Sequence, residues 1–182
     1  MTGRPMRRLE ESIAGNARFL RQGLTLLRKL DAQRYAATPE HFARGGVGAH
    51  FRHVLDHYDC FLTGLSDGRI AYDRRERDRD TERNPRIAAR RFERVLVGLR
   101  ALSAEDADRS LQVALDRGEQ SDGRHRWGIS SVLRELQFLG SHTVHHYAVI
   151  AAMLRPQGVE PGIDFGVAPS TLEHEQGAAC AR

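Results

Sequence analysis

Cysteine is nearly absent from this chain: 182 residues carry two, Cys60 and Cys180. That is too few for a disulfide framework or a thiolate zinc site, and the pair has no motif spacing. Lysine is scarcer still, since Lys29 alone accompanies the arginines that make up the rest of the 28 basic residues. The arginines do not form a phosphate track. They are interleaved with acids, as in "YDRRERDRDTERNPR" from Tyr72 to Arg86, and mixed-sign runs of this kind read as solvated connections. The net charge of +4 and pI near 9.6 therefore do not point to nucleic acid, and neither an RNA-binding aromatic motif nor zinc-finger spacing occurs.

Long hydrophobic runs are also missing. No stretch approaches the roughly 20 apolar residues that span a bilayer, and "MTGRPMRRLEESIAG" has no signal-peptide core. The expected location is cytoplasmic, with no membrane partner. Length and a 40% hydrophobic content suit one domain with a real core.

What is present is helical periodicity. Leu9, Ile13, Phe19, Leu20, Leu24, Leu27 and Leu30 recur at helical spacing and predict a first helix over about Met6 to Asp31. Pro39, Gly45, Gly46 and Gly48 break it. A second helix is expected over about Val47 to Leu65, with Val47, Phe51, Val54, Tyr58, Phe61, Leu62 and Leu65 on its apolar face. A third should run from Pro85, a residue suited to the first turn, to about Leu102. Ser130 and Ser131 are N-cap candidates for a fourth, which should end near Leu154 before Pro156 and Gly158. "SLQVAL" (Ser110 to Leu115) reads as a short extended piece and "SDGRHRWG" as a turn. The fold class expected is all-α: an antiparallel four-helix bundle in a single domain, 1–182, with the bundle over about 6–155 and an extended C-terminal strap over 156–182. The alternation of Ile163, Phe165 and Val167 in that strap suits packing across the bundle, and the end "GAACAR" is expected to fray.

The histidines are unevenly placed. Six of the nine occupy two short windows, "GVGAHFRHVLDHY" and "SHTVHHYAVI". His50, His53 and His57 lie along one edge of the second helix's apolar face. In the fourth helix Leu136, Leu139, Thr143, Tyr147, Ile150 and Leu154 form the core stripe, His142 and His146 share a flank, and His145 points outward. Residues four apart on a helix stand about 6 Å apart at Cβ, so His53/His57 and His142/His146 can each bring two imidazoles to one metal. A third nitrogen from the neighbouring helix would leave open positions, as in reactive rather than structural sites. Haem would need opposed single histidines, and a di-iron carboxylate site would need Glu-x-x-His pairs, which this chain lacks. Asp56 could orient an imidazole through its second nitrogen or pair with Arg52 four residues earlier. Cys60, Trp127 and Tyr147 are more simply core residues than site residues.

A histidine in "GVGAHFRHVLDHY", followed much later by His-x-x-x-His in "SHTVHHYAVIAAML", resembles the DinB-like family of metal-binding four-helix bundles. The family includes damage-inducible proteins and metal-dependent enzymes that act with low-molecular-weight thiols, such as maleylpyruvate isomerase and bacillithiol transferase. The resemblance implies ligands at His142 and His146, a non-ligand at His145, and one ligand from the second helix. The family pattern there best matches His53 followed by Val54, so the implied set is His53, His142 and His146. The additional histidines at positions 50 and 57 depart from the pattern; either could replace His53, join it as a fourth ligand, or stand behind it. Three imidazoles suit zinc, nickel or ferrous iron, and binding should weaken below about pH 6, where free imidazole protonates. The implied partners are a low-molecular-weight thiol, a small electrophilic substrate and a second copy of the chain in a homodimer. A non-catalytic metal-binding stress or sensory protein, and a helical interaction protein with incidental histidines, are the alternatives.

Overall fold

The computed structural model describes residues 3–39, 42, 45–115 and 126–180. Seven α-helices and a three-stranded sheet are present among them. The long helices are α1 (Gly3–Leu27), α3 (Val47–Asp67), α5 (Pro85–Arg100) and α6 (Val132–Leu154); α2 (Ala32–Ala36), α4 (Arg79–Arg83) and α7 (Pro169–Cys180) complete the set.

Each long helix starts and stops for a local reason. α1 ends four residues before Asp31, because the Asp31 carboxylate instead accepts the Arg34 amide at 2.7 Å and caps α2. The first turn of α3 runs against backbone: a Cβ on Gly48 would lie 1.9 Å from the Glu82 carbonyl oxygen. α3 closes on Gly68, which adopts the left-handed conformation at φ 66°. Asn84 caps α5 with Pro85 at its start. Ser131 caps α6 through the Arg134 amide, and Gly158 at φ 73° ends the 3-10 turn after it.

α1 and α3 each pack against both α5 and α6, so the four long helices contact one another in the cyclic order α1–α6–α3–α5. The apolar faces expected from periodicity meet in the middle, with Leu9, Leu20, Phe51, Tyr58, Phe92, Leu136 and Tyr147 wholly buried. Phe51 makes edge contacts with Phe92 and Tyr147, at ring-centroid distances of 5.7 and 5.8 Å. The Tyr58 hydroxyl enters this core with its partner: it donates to Asn16 Oδ1 at 2.6 Å, and Asn16 Nδ2 donates to the Leu136 carbonyl at 3.0 Å. No helix among the described residues is long and apolar enough to cross a membrane.

The chain is not all-α, and that expectation is corrected. β1 (Arg69–Ile70) pairs parallel with β2 (Ser110–Ala114), which pairs antiparallel with β3 (Trp127–Ser131). The extended piece foreseen at "SLQVAL" is β2. Of the expected turn at "SDGRHRWG", residues 121–125 lie outside the described residues, while Trp127 and Gly128 are in β3. The strands are too short to show a period, and β1 exists because Gly68 turns the chain back beside Gln112, whose amide donates to the Gly68 carbonyl. The tail also differs. Among its described residues only 158–168 is irregular, and α7 follows it.

Candidate metal centre

α3 and α6 lie side by side, and their histidine edges face each other. The His53 ring centroid is 4.4 Å from His57, 4.9 Å from His142 and 4.5 Å from His146. His142 is 4.2 Å from His57 and 4.4 Å from His146. Helical spacing within each window and helix pairing between windows thus produce one cluster from residues almost a hundred positions apart. His145 is exposed at its edge.

His53, His57 and His142 can each offer one donor atom such that all three lie within 4.8 Å of one another, close enough to hold a metal ion. The structure therefore brings the three histidines named from the sequence into contact, but groups His57 rather than His146 in the tightest trio. His146 is engaged on its other side, where its Nδ1 lies 2.8 Å from Nδ1 of His50.

The hydrogen bonds fix the tautomers of His57 and His53. His57 Nδ1 is 2.8 Å from the His53 carbonyl, which can only accept, so His57 carries its proton on Nδ1 and leaves Nε2 as a lone pair. Arg75 Nη1 is 2.9 Å from His53 Nδ1. A guanidinium cannot accept, so His53 Nδ1 must. His142 Nε2 is buried with no hydrogen-bond partner among the described residues, an arrangement that costs free energy unless something else satisfies the nitrogen. A divalent cation would, and the donor set of neutral imidazoles fits one.

Burial lowers the basicity of every imidazole in the cluster, and neighbouring positive charge adds to it. His53 is pushed down to about 2, by burial first and then by His57, His146 and Arg75. His142 and His146 fall to about 3, again mainly by burial. His50 and His57 shift the same way, although the carbonyl bond of His57 opposes the shift. His53, His142 and His146 are therefore neutral well below pH 6, and the expected onset of proton competition near pH 6 moves down with them.

A second layer surrounds the rings. Tyr72 stacks on His57 at 5.2 Å, its hydroxyl donates to Glu135 at 2.7 Å, and Phe138 stacks on His142 at 5.4 Å. Asp56 does not orient an imidazole. Its carboxylate is spanned by Arg52 at 2.7 Å and Arg91 at 3.0 Å. Burial pushes the Cys60 thiol up to about 11, and Cys60 is not among the three residues whose donor atoms converge. The strap packs on the core stripe, where Phe165 stacks on Tyr147 at 4.2 Å. Trp127 sits in β3 with the Arg69 guanidinium over its ring.

Arg75 and Tyr72 are the site residues that sequence reasoning missed. Both belong to the mixed-charge run between α3 and α4, which has no period and reads as solvent-facing. Arg77, two residues on, holds φ at 52° and turns that run back toward α4.

Fold and site together define a predominantly helical protein with a small sheet and a histidine cluster able to hold a metal ion. No protein-family model and no solved structure matches the chain. It is similar to a curated protein of Rhizopus delemar, "FK506-binding protein 5", with 35% identity over 108 residues, which is 58% of this chain and 27% of that protein. The chain spans little more than a quarter of that relative's length.

Proposed function

We propose that the chain is a DinB-like divalent-metal-binding protein: an antiparallel four-helix bundle, with its sheet as an addition, built around one histidine-ligated ion. The observation that carries this reading is the convergence of His53, His57 and His142 from two helices, with the buried His142 Nε2 lacking any other partner among the described residues. His53 and His142 are ligands under both the resemblance and the geometry. His57 is the third ligand that the geometry favours, and His146 is the neighbour that would replace it by leaving His50. Zinc, nickel and ferrous iron all suit this set. When bound, such an ion lowers the pKa of a water or thiol, or polarises a carbonyl, at its open position. The chain's own residues supply the rest: Tyr72 and Phe138 shield the rings from water, and the His53 carbonyl holds His57 with Nε2 free. This suits a thiol transferase or isomerase acting on a small electrophile in the cytoplasm. A non-catalytic metal-binding role uses the same site.

Metal analysis of the purified protein tests the reading. About one equivalent should be found. His142→Ala and His53→Ala should abolish it, and His145→Ala should leave it unchanged. Of His57→Ala and His146→Ala, the one that lowers affinity at least about 100-fold identifies the third ligand, since loss of a direct ligand should exceed the cost of losing an outer partner. Protein that binds no zinc, nickel or iron at any pH from about 6 to 8 would refute the reading.

A further inference from the structure

Arg75 is anomalous among the arginines near the cluster. Arg52 is paired with Asp56 and Glu82, and Arg91 with Asp56 and Asp59. Arg75 is half-buried, has no carboxylate within ion-pair distance among the described residues, and its Nε is buried without a partner. What its Nη1 faces is imidazole: His53 Nδ1 at 2.9 Å, and the His57 nitrogens at 3.4 and 3.5 Å. A guanidinium does not deprotonate, and a shielded positive charge without a counter-ion is costly.

Metal binding makes this worse. If His53 coordinates through Nδ1, that lone pair is no longer available to Arg75. If it coordinates through Nε2, the proton must move to Nδ1, which again can no longer accept. Either way Arg75 loses its one close partner while a second positive charge arrives beside it. Of the carboxylates that line the cavity beside it, Asp56 and Asp59 are taken by arginines and Asp78 by the Asp80 and Thr81 amides that it caps, while Asp67 and Glu76 line it without an ion pair to Arg75. That cavity measures about 650 Å³ and is lined by Cys60, Arg75 and Arg91 among others but, among the described residues, by no histidine, so Arg75 is the lining residue that joins it to the cluster; its volume lies within the size range of small-molecule sites.

We propose that Arg75 is an anion-binding residue of this centre, holding the carboxylate of a small organic acid against the histidine cluster. The inference rests on the metal-binding reading above and names the class of ligand that the centre takes. A carboxylate is favoured because one planar guanidinium fork matches two coplanar oxygens, and Arg75 is the guanidinium that touches the histidine cluster with no carboxylate paired to it among the described residues. The ligand's charge replaces the contact that Arg75 gives up to the metal, and the unpartnered Nε becomes one of its donors.

Cobalt(II) serves as the probe ion, because its d–d absorption reports on its ligands. Chelator-stripped full-length protein is titrated with cobalt(II), then with sodium acetate against sodium chloride at equal ionic strength. In the wild type, acetate should shift the bands with a Kd of about millimolar order, as befits a ligand of four heavy atoms. Arg75→Ala and Arg75→Gln should retain cobalt(II) binding and weaken acetate about tenfold or more. Arg75→Lys, which keeps the charge without the fork, should recover part of that loss. Circular dichroism checks that each variant is folded, and the glutamine and lysine variants stand in should alanine fail. Cobalt(II) bands that acetate does not move, or moves equally in wild type and Arg75→Gln, would overturn this proposal alone. So would a gain in cobalt(II) affinity of about tenfold in Arg75→Ala with no acetate response, since Arg75 would then be a plug. No bands at all would refute the metal reading and this proposal with it.

Discussion

Acidifying the metal-free protein from about pH 7.5 to 5.0 should cost about 3 kcal/mol of stability, and the histidine cluster should account for it. The three imidazoles with the lowest basicity, His53, His142 and His146, stand at about 2, 3 and 3 in the fold, against about 6.5 in the unfolded chain. Their folded values lie below their unfolded ones, so between the two the unfolded chain binds more protons. Stability is therefore intact above about pH 6.5 and falls as the pH drops below it. Each group would contribute about 2 kcal/mol over this interval, or about 6 kcal/mol for three. These rings are only partly buried and they influence one another, so solvent screening reduces the sum to about half. For a chain of this size that corresponds to a fall in Tm of about 6–12 °C. The assay is thermal unfolding by circular dichroism in chelator, at intervals across the range. Carboxylates do not confuse it, because the lowered Asp31 and Asp78 lose their contribution only below about pH 4. His142→Gln should lessen the dependence by roughly a third. A Tm that is flat or rises between pH 7.5 and 5.0 would mean that the imidazoles are not shielded as the structure has them, and the reasoning would fail.

Two further outcomes concern the frame that holds the cluster. Asp56→Asn should destabilise the protein by about 3 kcal/mol, because it leaves the guanidinia of Arg52 and Arg91 short of a buried counter-charge behind the histidine edge of α3; urea unfolding measures this, and a change below about 1 kcal/mol would show that Glu82 and Asp59 suffice. Tyr58→Phe removes the donor to Asn16 Oδ1 inside the core and should cost about 1–3 kcal/mol, read from the same urea midpoints, with cobalt(II) binding unchanged.

Much of this arrangement is written locally. The periodicity of Phe51, Val54, Tyr58 and Phe61, and of Leu136, Leu139, Thr143 and Tyr147, determines which edges of two helices carry the histidines, and every one of these eight residues is buried. The Ser131 cap and the Pro85 start are equally local, since a cap depends on three or four consecutive residues. The sheet was less legible. β2 could be suspected from "SLQVAL", but its neighbours are two residues at the end of α3 and a strand beyond residues 116–125, and pairing between such segments leaves no period in either.

The site divides in the same way. The sequence by itself determined that the fourth helix offers His142 and His146 on one flank and the second helix offers His50, His53 and His57 on one edge, because spacing along a helix sets direction. Only the tertiary structure decided which of them meet. The packing of α3 against α6 sets His57 opposite His142 and turns His146 toward His50, a choice that depends on the axial offset between the helices and not on spacing within either. It also decided that Arg75, indistinguishable by residue type from its neighbours in a charged run, enters the cluster. Whether an arginine is solvated or desolvated depends on what the rest of the chain places over it, and no local pattern records that.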